Sequence, residues 1–237
     1  MMMDTKSRYK QLTLAAAVLL TLVGCSHGDD SYRPTLPDPV SVSYEVTITN
    51  LTQAQPLSPV AVVLHSTGNL WQVGEPASIP LEKLAEAGDT SDLLADTSFL
   101  ATASGAGLLL PGMSETISVN VDDVSDAKLS VVSMLVNTND AFTGLDAYDL
   151  SLLSEGQSVM FYSTTYDAGT EENNEAAGTI PGPADGGVGF DSVRDDVNFV
   201  AMHPGVLSAD DGLTASVLAG QHKFDNPTTR IRITRIE

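Results

Sequence analysis

Three acidic side chains, in two separate segments, are the best candidates for binding chemistry in this sequence. Asp140 follows an apolar segment that predicts a buried strand, so it lies where a loop begins. Asp167 and Glu171 lie on either side of Ala168-Gly169-Thr170, in which the glycine allows the backbone to turn until both carboxylates face one point. Ca²⁺ takes roughly 6–8 oxygen ligands and accepts them from flexible loops. The three carboxylates are therefore a candidate calcium site, and the alternative is that all three are solvated loop acids.

The residue types in this set decide which metal it suits. Three carboxylates that meet repel one another unless a cation lies between them. The set contains no histidine or cysteine, which argues against zinc, and the chain lacks the ligand spacing of an EF-hand. Calcium is therefore the cation that we expect.

Catalytic motifs give a weaker signal than the carboxylates. Among the four histidines, His65 is followed by Ser66 after an apolar segment, which leaves a Ser-His-Asp hydrolase open as an alternative. A G-x-S-x-G nucleophile elbow is absent. Gly186-Gly187-Val188-Gly189 lacks the strand and the helix that flank a phosphate-binding loop. We therefore expect a protein that is not an enzyme.

Residues 1–24 have the pattern of a bacterial signal peptide. Basic residues precede an apolar segment over residues 12–23, which is shorter than the roughly 20 residues that a membrane-spanning helix needs. The segment ends in Leu22-Val23-Gly24-Cys25, which resembles the lipobox of bacterial lipoproteins. In such proteins the cysteine is acylated and becomes the first residue after cleavage, so we expect Cys25 to be the lipidation site. Ser26 after it favours sorting to the outer membrane of the cell envelope, on its periplasmic or its surface side.

The composition of the remaining chain limits its partners and its stabilising interactions. Cys25 is the only cysteine, so no disulfide can form within the chain. Residues 25–40 are polar, include three prolines and predict a flexible tether. A net charge of −20 repels phosphate backbones, which excludes nucleic acid as a main partner. With 42% hydrophobic residues in the chain, residues 41–237 can form one domain of ordinary size.

Residues 41–237 show mostly the two-residue period of β-strands. Val42 to Ile48 and Ile117 to Val121 alternate apolar and polar residues, which predicts strands with one buried face. Residues 59–64 form a continuous apolar segment, which predicts a strand that is covered on both faces. Further strands are predicted at residues 129–136, 158–162, 197–201 and 229–236, the last of them half-exposed.

Helical patterns are short and few. The clearest runs from Pro80 to Ala87 and stops before Gly88, and residues 90–95 and 145–152 are further candidates. Residues 169–189 are too poor in apolar residues for a core and predict a long surface loop. The whole pattern predicts an all-β fold, an antiparallel β-sandwich with one or two short helices.

Three short motifs occur in an order and at a spacing that together resemble one family. They are residues 71–78 (WQVGEPAS) with 84–88 (LAEAG), residues 132–140 (VSMLVNTND) with Gly144, and residues 166–171 (YDAGTE). With the basic and aliphatic segment at residues 230–236, they resemble the spondin domain of the animal matrix proteins F-spondin and mindin. The resemblance extends over about residues 42–236, almost the whole of the expected domain.

The resemblance implies a fold and a ligand set. Spondin domains are β-sandwiches that bind calcium at one end through three carboxylates. Carried over motif by motif, these ligands are Asp140, Asp167 and Glu171. The chain departs from the family pattern at Ala141, where the family has tryptophan, and at Glu171, where it has aspartate. The second change keeps the negative charge and adds one methylene, which puts the calcium affinity in question.

The resemblance also implies a function in adhesion or recognition. We expect a calcium-binding module that is tethered to the membrane by its lipid anchor and contacts an unidentified protein or glycan ligand. Two alternatives remain open at this stage. One is a structural lipoprotein of the cell envelope whose calcium only stabilises the fold, and the other is an enzyme with an unrecognised site.

Overall fold

Two antiparallel β-sheets make up most of the folded part of the chain. The computed structural model describes residues 41–122 and 125–236, which belong to one compact unit from Asp38 to Glu237. The strands of this part are β1 (Val42–Asn50), β2 (Ala61–His65), β3 (Ala101–Ser104), β4 (Ser114–Val121), β5 (Lys128–Met134), β6 (Ala141–Asp149), β7 (Ser158–Ser163), β8 (Thr165–Asp167), β9 (Ala201–Met202) and β10 (Thr229–Arg235). One sheet has the order β4-β1-β10-β7 and the other has the order β3-β2-β5-β6-β8-β9. The predicted all-β sandwich is confirmed.

The four-stranded sheet follows the alternating pattern of its sequence. Tyr44, Val46 and Ile48 of β1 are at most 1% exposed, whereas Glu45 between them faces solvent. β10 pairs with β1 on one side and with β7 on the other, so the last strand of the chain lies inside the sheet. Its Ile231 and Ile233 join the core while its arginines stay partly exposed, which agrees with the half-exposed strand predicted there.

The six-stranded sheet is covered on both faces. On its inner face, Leu64 and Leu129 pack against the other sheet in the main hydrophobic core. On its outer face, Val63 and Phe142 pack under a helical layer together with Trp71, whose ring meets Phe142 edge to face at 5.2 Å between centroids. Burial on both faces explains the continuous apolar sequence of β2.

The helical layer is short, as the sequence predicts. It consists of α1 (Ile79–Ala87) and α2 (Ser91–Leu94). At the start of α1, the Ser78 hydroxyl accepts a hydrogen bond from the Leu81 amide at 3.4 Å. At its end, Gly88 adopts φ of +66° and donates to the Leu84 carbonyl at 2.9 Å, a conformation that glycine adopts without strain.

Two predicted elements are wrong, and in both cases tertiary hydrogen bonding decides. Residues 145–152 were expected to be helical, but β6 continues to Asp149 because it pairs with β5, and only a 3₁₀ turn, Leu150–Leu152, follows. Residues 197–201 were expected to form an inner strand, but only Ala201 is in a strand there and Val197 is 52% exposed. The Asn198 amide donates to the Gly169 carbonyl instead of joining a ladder.

The long segment at residues 169–189 has no regular secondary structure, as expected, but it is not wholly a surface loop. Ile180 is fully buried and packs with Val206 and Leu218 in a small third cluster.

Several predictions for the N-terminus fall outside the described residues. These are the signal peptide at residues 1–24, the lipidation site Cys25 and the tether at residues 25–40. Within residues 41–122 and 125–236, no helix has the length and apolar character needed to cross a membrane.

The close approach of β5 and β6 at Gly144 supplies a test of the fold. A Cβ atom on Gly144 of β6 would lie 1.9 Å from the Val131 carbonyl oxygen of β5, where the strand register shifts. Gly144→Ala should therefore lower the free energy of unfolding by about 1–3 kcal/mol through overpacking, as measured by urea denaturation. Gly107→Ala is the control, because a Cβ atom there meets nothing within 4 Å. Equal stability of the two variants would contradict the strand pairing described here.

Candidate metal centre

Two neighbouring strands bring the first two predicted ligands together. Asp140 is the residue before β6, and Asp167 is the last residue of β8. These strands are antiparallel partners, with Ala141 opposite Asp167, and the Ala168 amide donates to the Asp140 carbonyl at 3.2 Å. Residues that are 27 positions apart in the sequence therefore lie side by side at the ends of two neighbouring strands.

The turn between β5 and β6 places Asp140 in the interior. Thr138 stabilises this turn, because its hydroxyl donates to the Leu135 carbonyl at 2.6 Å and accepts from the Ala141 amide at 3.1 Å. Asp140 itself has no exposed surface. The sequence predicted a loop at this position, and the structure shows that the loop is buried rather than solvated.

Only one of the two oxygens of the Asp140 carboxylate accepts hydrogen bonds. Its Oδ2 accepts hydrogen bonds from the Thr170 amide at 2.8 Å, the Glu171 amide at 3.2 Å and the Thr170 hydroxyl at 3.3 Å. Its Oδ1 is buried and has no hydrogen-bond partner. A buried polar atom without a partner typically costs about 1–3 kcal/mol, and more when it is charged. This oxygen is therefore the one at which a proton or a cation would be accommodated.

Asp167 is held in place by a donor on each oxygen. Its Oδ1 accepts from the Gly169 amide at 2.7 Å, and its Oδ2 accepts from the Asn173 side-chain amide at 2.5 Å. Gly169 has φ of +69°, and a Cβ atom there would lie 2.3 Å from the Phe199 carbonyl oxygen. Glycine at this position is thus required by both the turn and the close approach, which confirms the turn predicted at residues 168–170.

The protonation of the two aspartates reflects this crowding. Burial, and after it the neighbouring Asp167, raise the pKa of the Asp140 carboxyl to about 8, against the hydrogen bonds from Thr170 and Glu171. Burial also raises the pKa of Asp167, although the hydrogen bonds from Asn173 and Gly169 oppose the change. Burial is the main cause of both shifts, and the charge of Asp167 adds to the shift at Asp140.

Glu171 is the third predicted ligand, and its side chain lies near acidic residues other than Asp140 and Asp167. Its backbone amide binds Asp140, but its side chain has other neighbours. Burial raises the pKa of the Glu171 carboxyl to about 7, and Glu86, Asp195 and Asp191 raise it as well, against a hydrogen bond from Asn139. Its Oε2 is buried and lacks a hydrogen-bond partner. The carboxylate of Glu171 therefore lies among a second group of acids, beside the Asp140–Asp167 pair.

Glu86 is the main member of this second group, and the motif reasoning gave it no role. It belongs to the last turn of α1, is 1% exposed and accepts from the Asp191 amide at 2.9 Å. Burial raises the pKa of Glu86, and a hydrogen bond from the Thr170 side chain opposes the change. Because the Thr170 backbone amide donates to Asp140, this one residue contacts both groups of acids.

The sequence contains only weak signals for these additional acids. Glu86 lies in the segment LAEAG, where helical periodicity alone does not show which residues are covered by other parts of the chain. Asp196 is a further neighbour, because burial and then Asp167 raise its pKa. Asp191, Asp195 and Asp196 all come from the irregular segment that was expected to lead into a strand.

The donor set fits a hard cation, but the side chains do not form a closed metal site. Both groups offer carboxylate oxygens and a threonine hydroxyl, which suit Ca²⁺ better than a soft metal. Within the part of the chain that the structure describes, no group of three or more His, Cys, Asp or Glu side chains is arranged to hold a metal ion. Asp140 and Asp167 are thus brought together, whereas the Glu171 carboxylate points to the neighbouring acids.

His65, the candidate histidine of the hydrolase alternative, belongs to a buried hydrogen-bond network. His65 contacts the Ser130 hydroxyl through Nε2 at 2.9 Å and the Thr67 carbonyl through Nδ1 at 3.0 Å. Asp146 accepts a hydrogen bond from Ser130 at 2.7 Å and not from the histidine. Ser130 is fully buried, so a substrate cannot reach its hydroxyl. These hydrogen bonds connect β2, β5 and β6. Ser130 lies between His65 and Asp146, so the three residues do not have the serine, histidine, aspartate order of a catalytic triad.

Comparison with known proteins adds no family assignment. A scan against protein-family models finds no model that matches this chain, and a search of curated proteins finds no similar sequence. The fold and the site define an all-β sandwich with a buried acid pair at the ends of two neighbouring strands. The resemblance to spondin domains stays a prediction that rests on the three motifs.

The buried acid pair predicts how stability depends on pH in the metal-free protein. Because burial raises the pKa of Asp140 to about 8, the folded protein retains a proton that the unfolded chain releases near its usual pKa. The free energy of unfolding in chelator should therefore fall as the pH rises from about 4 to 8, by up to about 1.4 kcal/mol per pH unit for this group. Urea denaturation at several pH values measures the slope.

Asp140→Asn should flatten this slope, because the amide keeps the acceptor for Thr170 and carries no charge. The exposed Asp210→Asn is the matched control and should keep the wild-type slope. Identical pH profiles for the wild type and Asp140→Asn would show that Asp140 is ionised in the fold.

Proposed function

We propose that this chain is a membrane-tethered, calcium-binding protein of the spondin type that acts as an adhesion or recognition module of the cell envelope. In this proposal Cys25 carries the lipid anchor, residues 25–40 are the tether, and calcium binds beside Asp140 and Asp167. Glu171 completes the set when its carboxylate turns from Glu86 toward the cation.

The observation that carries the proposal is the buried and unpartnered Oδ1 of Asp140. This oxygen lies in a carboxylate that is crowded by Asp167 and fully removed from water. Deprotonation of the Asp140 carboxyl costs more free energy at this buried position than in solvent. A divalent cation between the two carboxylates compensates this free-energy cost. A second unpartnered oxygen, Oε2 of Glu171, lies in the adjacent acid group and supports the same requirement for positive charge.

Calcium is the cation that best fits these donors. The oxygens come from aspartate and glutamate side chains, with the Thr170 hydroxyl between the two groups. Part of the ligand set comes from irregular chain, which suits the variable coordination of Ca²⁺ better than the strict octahedron of Mg²⁺. Asp191 and Asp195 add further negative charge beside Glu171.

The position of the site supports a role at a binding surface. Exposed apolar side chains lie on the segment that covers the acids, with Val193 at 69% and Val197 at 52% exposed. This segment is tied to the site, because the Asp195 amide donates to the Thr170 carbonyl at 3.1 Å. A cation that orders the acids below therefore also orders the surface that a protein or glycan ligand would meet.

Calcium should stabilise the protein measurably. A ligand that binds only the folded state stabilises it by about 2.7 kcal/mol at a hundred times its dissociation constant. For a chain of this size that corresponds to a rise in Tm of roughly 5–10 °C. Differential scanning calorimetry with millimolar calcium and with chelator measures the rise. Asp140→Ala and Asp167→Ala should abolish it, whereas the exposed Asp210→Ala should retain it.

The same variants separate a binding module from a purely structural lipoprotein. We expect the wild type to attach to an array of matrix proteins and glycans in calcium and to detach in chelator. Asp140→Ala should fail to attach. A rise in Tm without any attachment favours the structural alternative, and the absence of any calcium effect on Tm contradicts the metal site itself.

The anchor has a separate test that uses the single cysteine of the chain. Cells that express the protein should incorporate labelled palmitate into it, because Cys25 is the only thiol. Cys25→Ser should lose the label and move the protein from the membrane fraction to the soluble fraction. A labelled or membrane-bound Cys25→Ser protein would contradict the lipobox prediction.

A further inference from the structure

A buried histidine lies two hydrogen bonds away from Asp167. His203 follows β9, is 4% exposed and donates its backbone amide to the Thr165 carbonyl at 3.1 Å. Its ring packs against Phe224 at 5.3 Å between centroids. The backbone contact and the ring contact fix the imidazole between β8 and the segment before β10.

The hydrogen bonds of His203 determine which of its nitrogens carries the proton. The Gly205 amide donates to Nδ1 at 3.0 Å, so Nδ1 is the acceptor of the ring. In the neutral ring the hydrogen is then on Nε2, which lies 3.1 Å from Oδ1 of Asn173 and donates to it. Burial lowers the pKa of His203 to about 4, which agrees with a neutral ring.

This bond in turn fixes the orientation of the Asn173 amide. An asparagine side chain can flip by half a turn, which exchanges its oxygen and its nitrogen. Here the oxygen accepts from His203, so the nitrogen must face Asp167, to which it donates at 2.5 Å. The Gly169 amide occupies the other oxygen of Asp167, and each oxygen keeps a lone pair for a further partner.

We propose that Asn173 and His203 are positioning residues that orient the Asp167 carboxylate for its cation. The inference rests on the proposed calcium site and names two residues that the site requires without touching the metal. Hydrogen-bond partners of metal-binding carboxylates set the direction of their lone pairs, and loss of such a partner typically weakens metal binding by about 10–100-fold. Neither residue belongs to the acid groups.

Calcium titration calorimetry on the full-length protein in detergent tests this proposal. Asn173→Leu removes the donor at similar volume, and His203→Phe keeps a buried ring but removes Nε2. Both variants should raise the Kd for calcium by roughly 10–100-fold. His203→Gln supplies a side-chain N–H at similar reach, so it should restore binding to within a few-fold of the wild type.

A double variant distinguishes positioning from general damage. Because His203 acts on Asp167 only through Asn173, the pair Asn173→Leu and His203→Phe should bind no more weakly than Asn173→Leu alone. His65→Phe is the matched control, since His65 is 3% exposed and lies opposite Lys128, at the other end of β5 from the turn that carries Asp140. It should lower the Tm and leave the Kd for calcium unchanged.

The outcomes separate this inference from the proposed function. A wild type that binds calcium, with His203→Phe and Asn173→Leu both within two-fold of it, overturns the positioning role alone. Fully additive losses in the double variant also overturn it, because the two residues would then act independently. A wild type without calcium binding overturns the proposed function and this inference with it.

Discussion

The fold buries the carboxylate of Asp140 and gives only one of its two oxygens hydrogen-bond partners. Asp140 has no exposed surface, and one of its carboxylate oxygens has three donors while the other has none. Asp167, its nearest charged neighbour in sheet register, has the same sign. A protein of this size has a net stability of only about 5–15 kcal/mol, so ionising this buried carboxyl without a compensating positive charge would remove a large fraction of it. In the proposed function a cation supplies that positive charge.

The surrounding structure is built to hold these acids in place. Pairing of β6 with β8 sets Asp140 and Asp167 side by side, and the Gly169 turn brings the Thr170 and Glu171 amides to Asp140. Thr170 also connects the pair to Glu86 at the end of α1. Thr170 thus connects two groups of acids. These acids come from the ends of two strands, from a helix and from an irregular segment. A cation at either group would affect the order of both.

The parts of this site that sequence could predict are those set by local rules. Alternation identified β1, β4 and β10, and proline, serine and glycine marked the ends of α1. Asp140 could be placed because it follows a predicted strand, and Asp167 because it precedes the turn at Gly169, although their adjacency depends on a pairing that no local pattern shows. The direction of the Glu171 side chain and the burial of Glu86 depend on packing between distant segments. For the same reason β6 extended through a segment with helical periodicity, because pairing with β5 outweighed propensity.

Anomalous diffraction from crystals grown in calcium and then exchanged into terbium tests most directly whether a cation binds between Asp140 and Asp167. An ion bound as described gives an anomalous peak beside Oδ1 of Asp140 and an oxygen of Asp167, at roughly 2.3–2.6 Å from each in the calcium form. A map without a peak at this position at saturating concentration of either ion, with the Asp140 oxygen still unpartnered, would contradict the account.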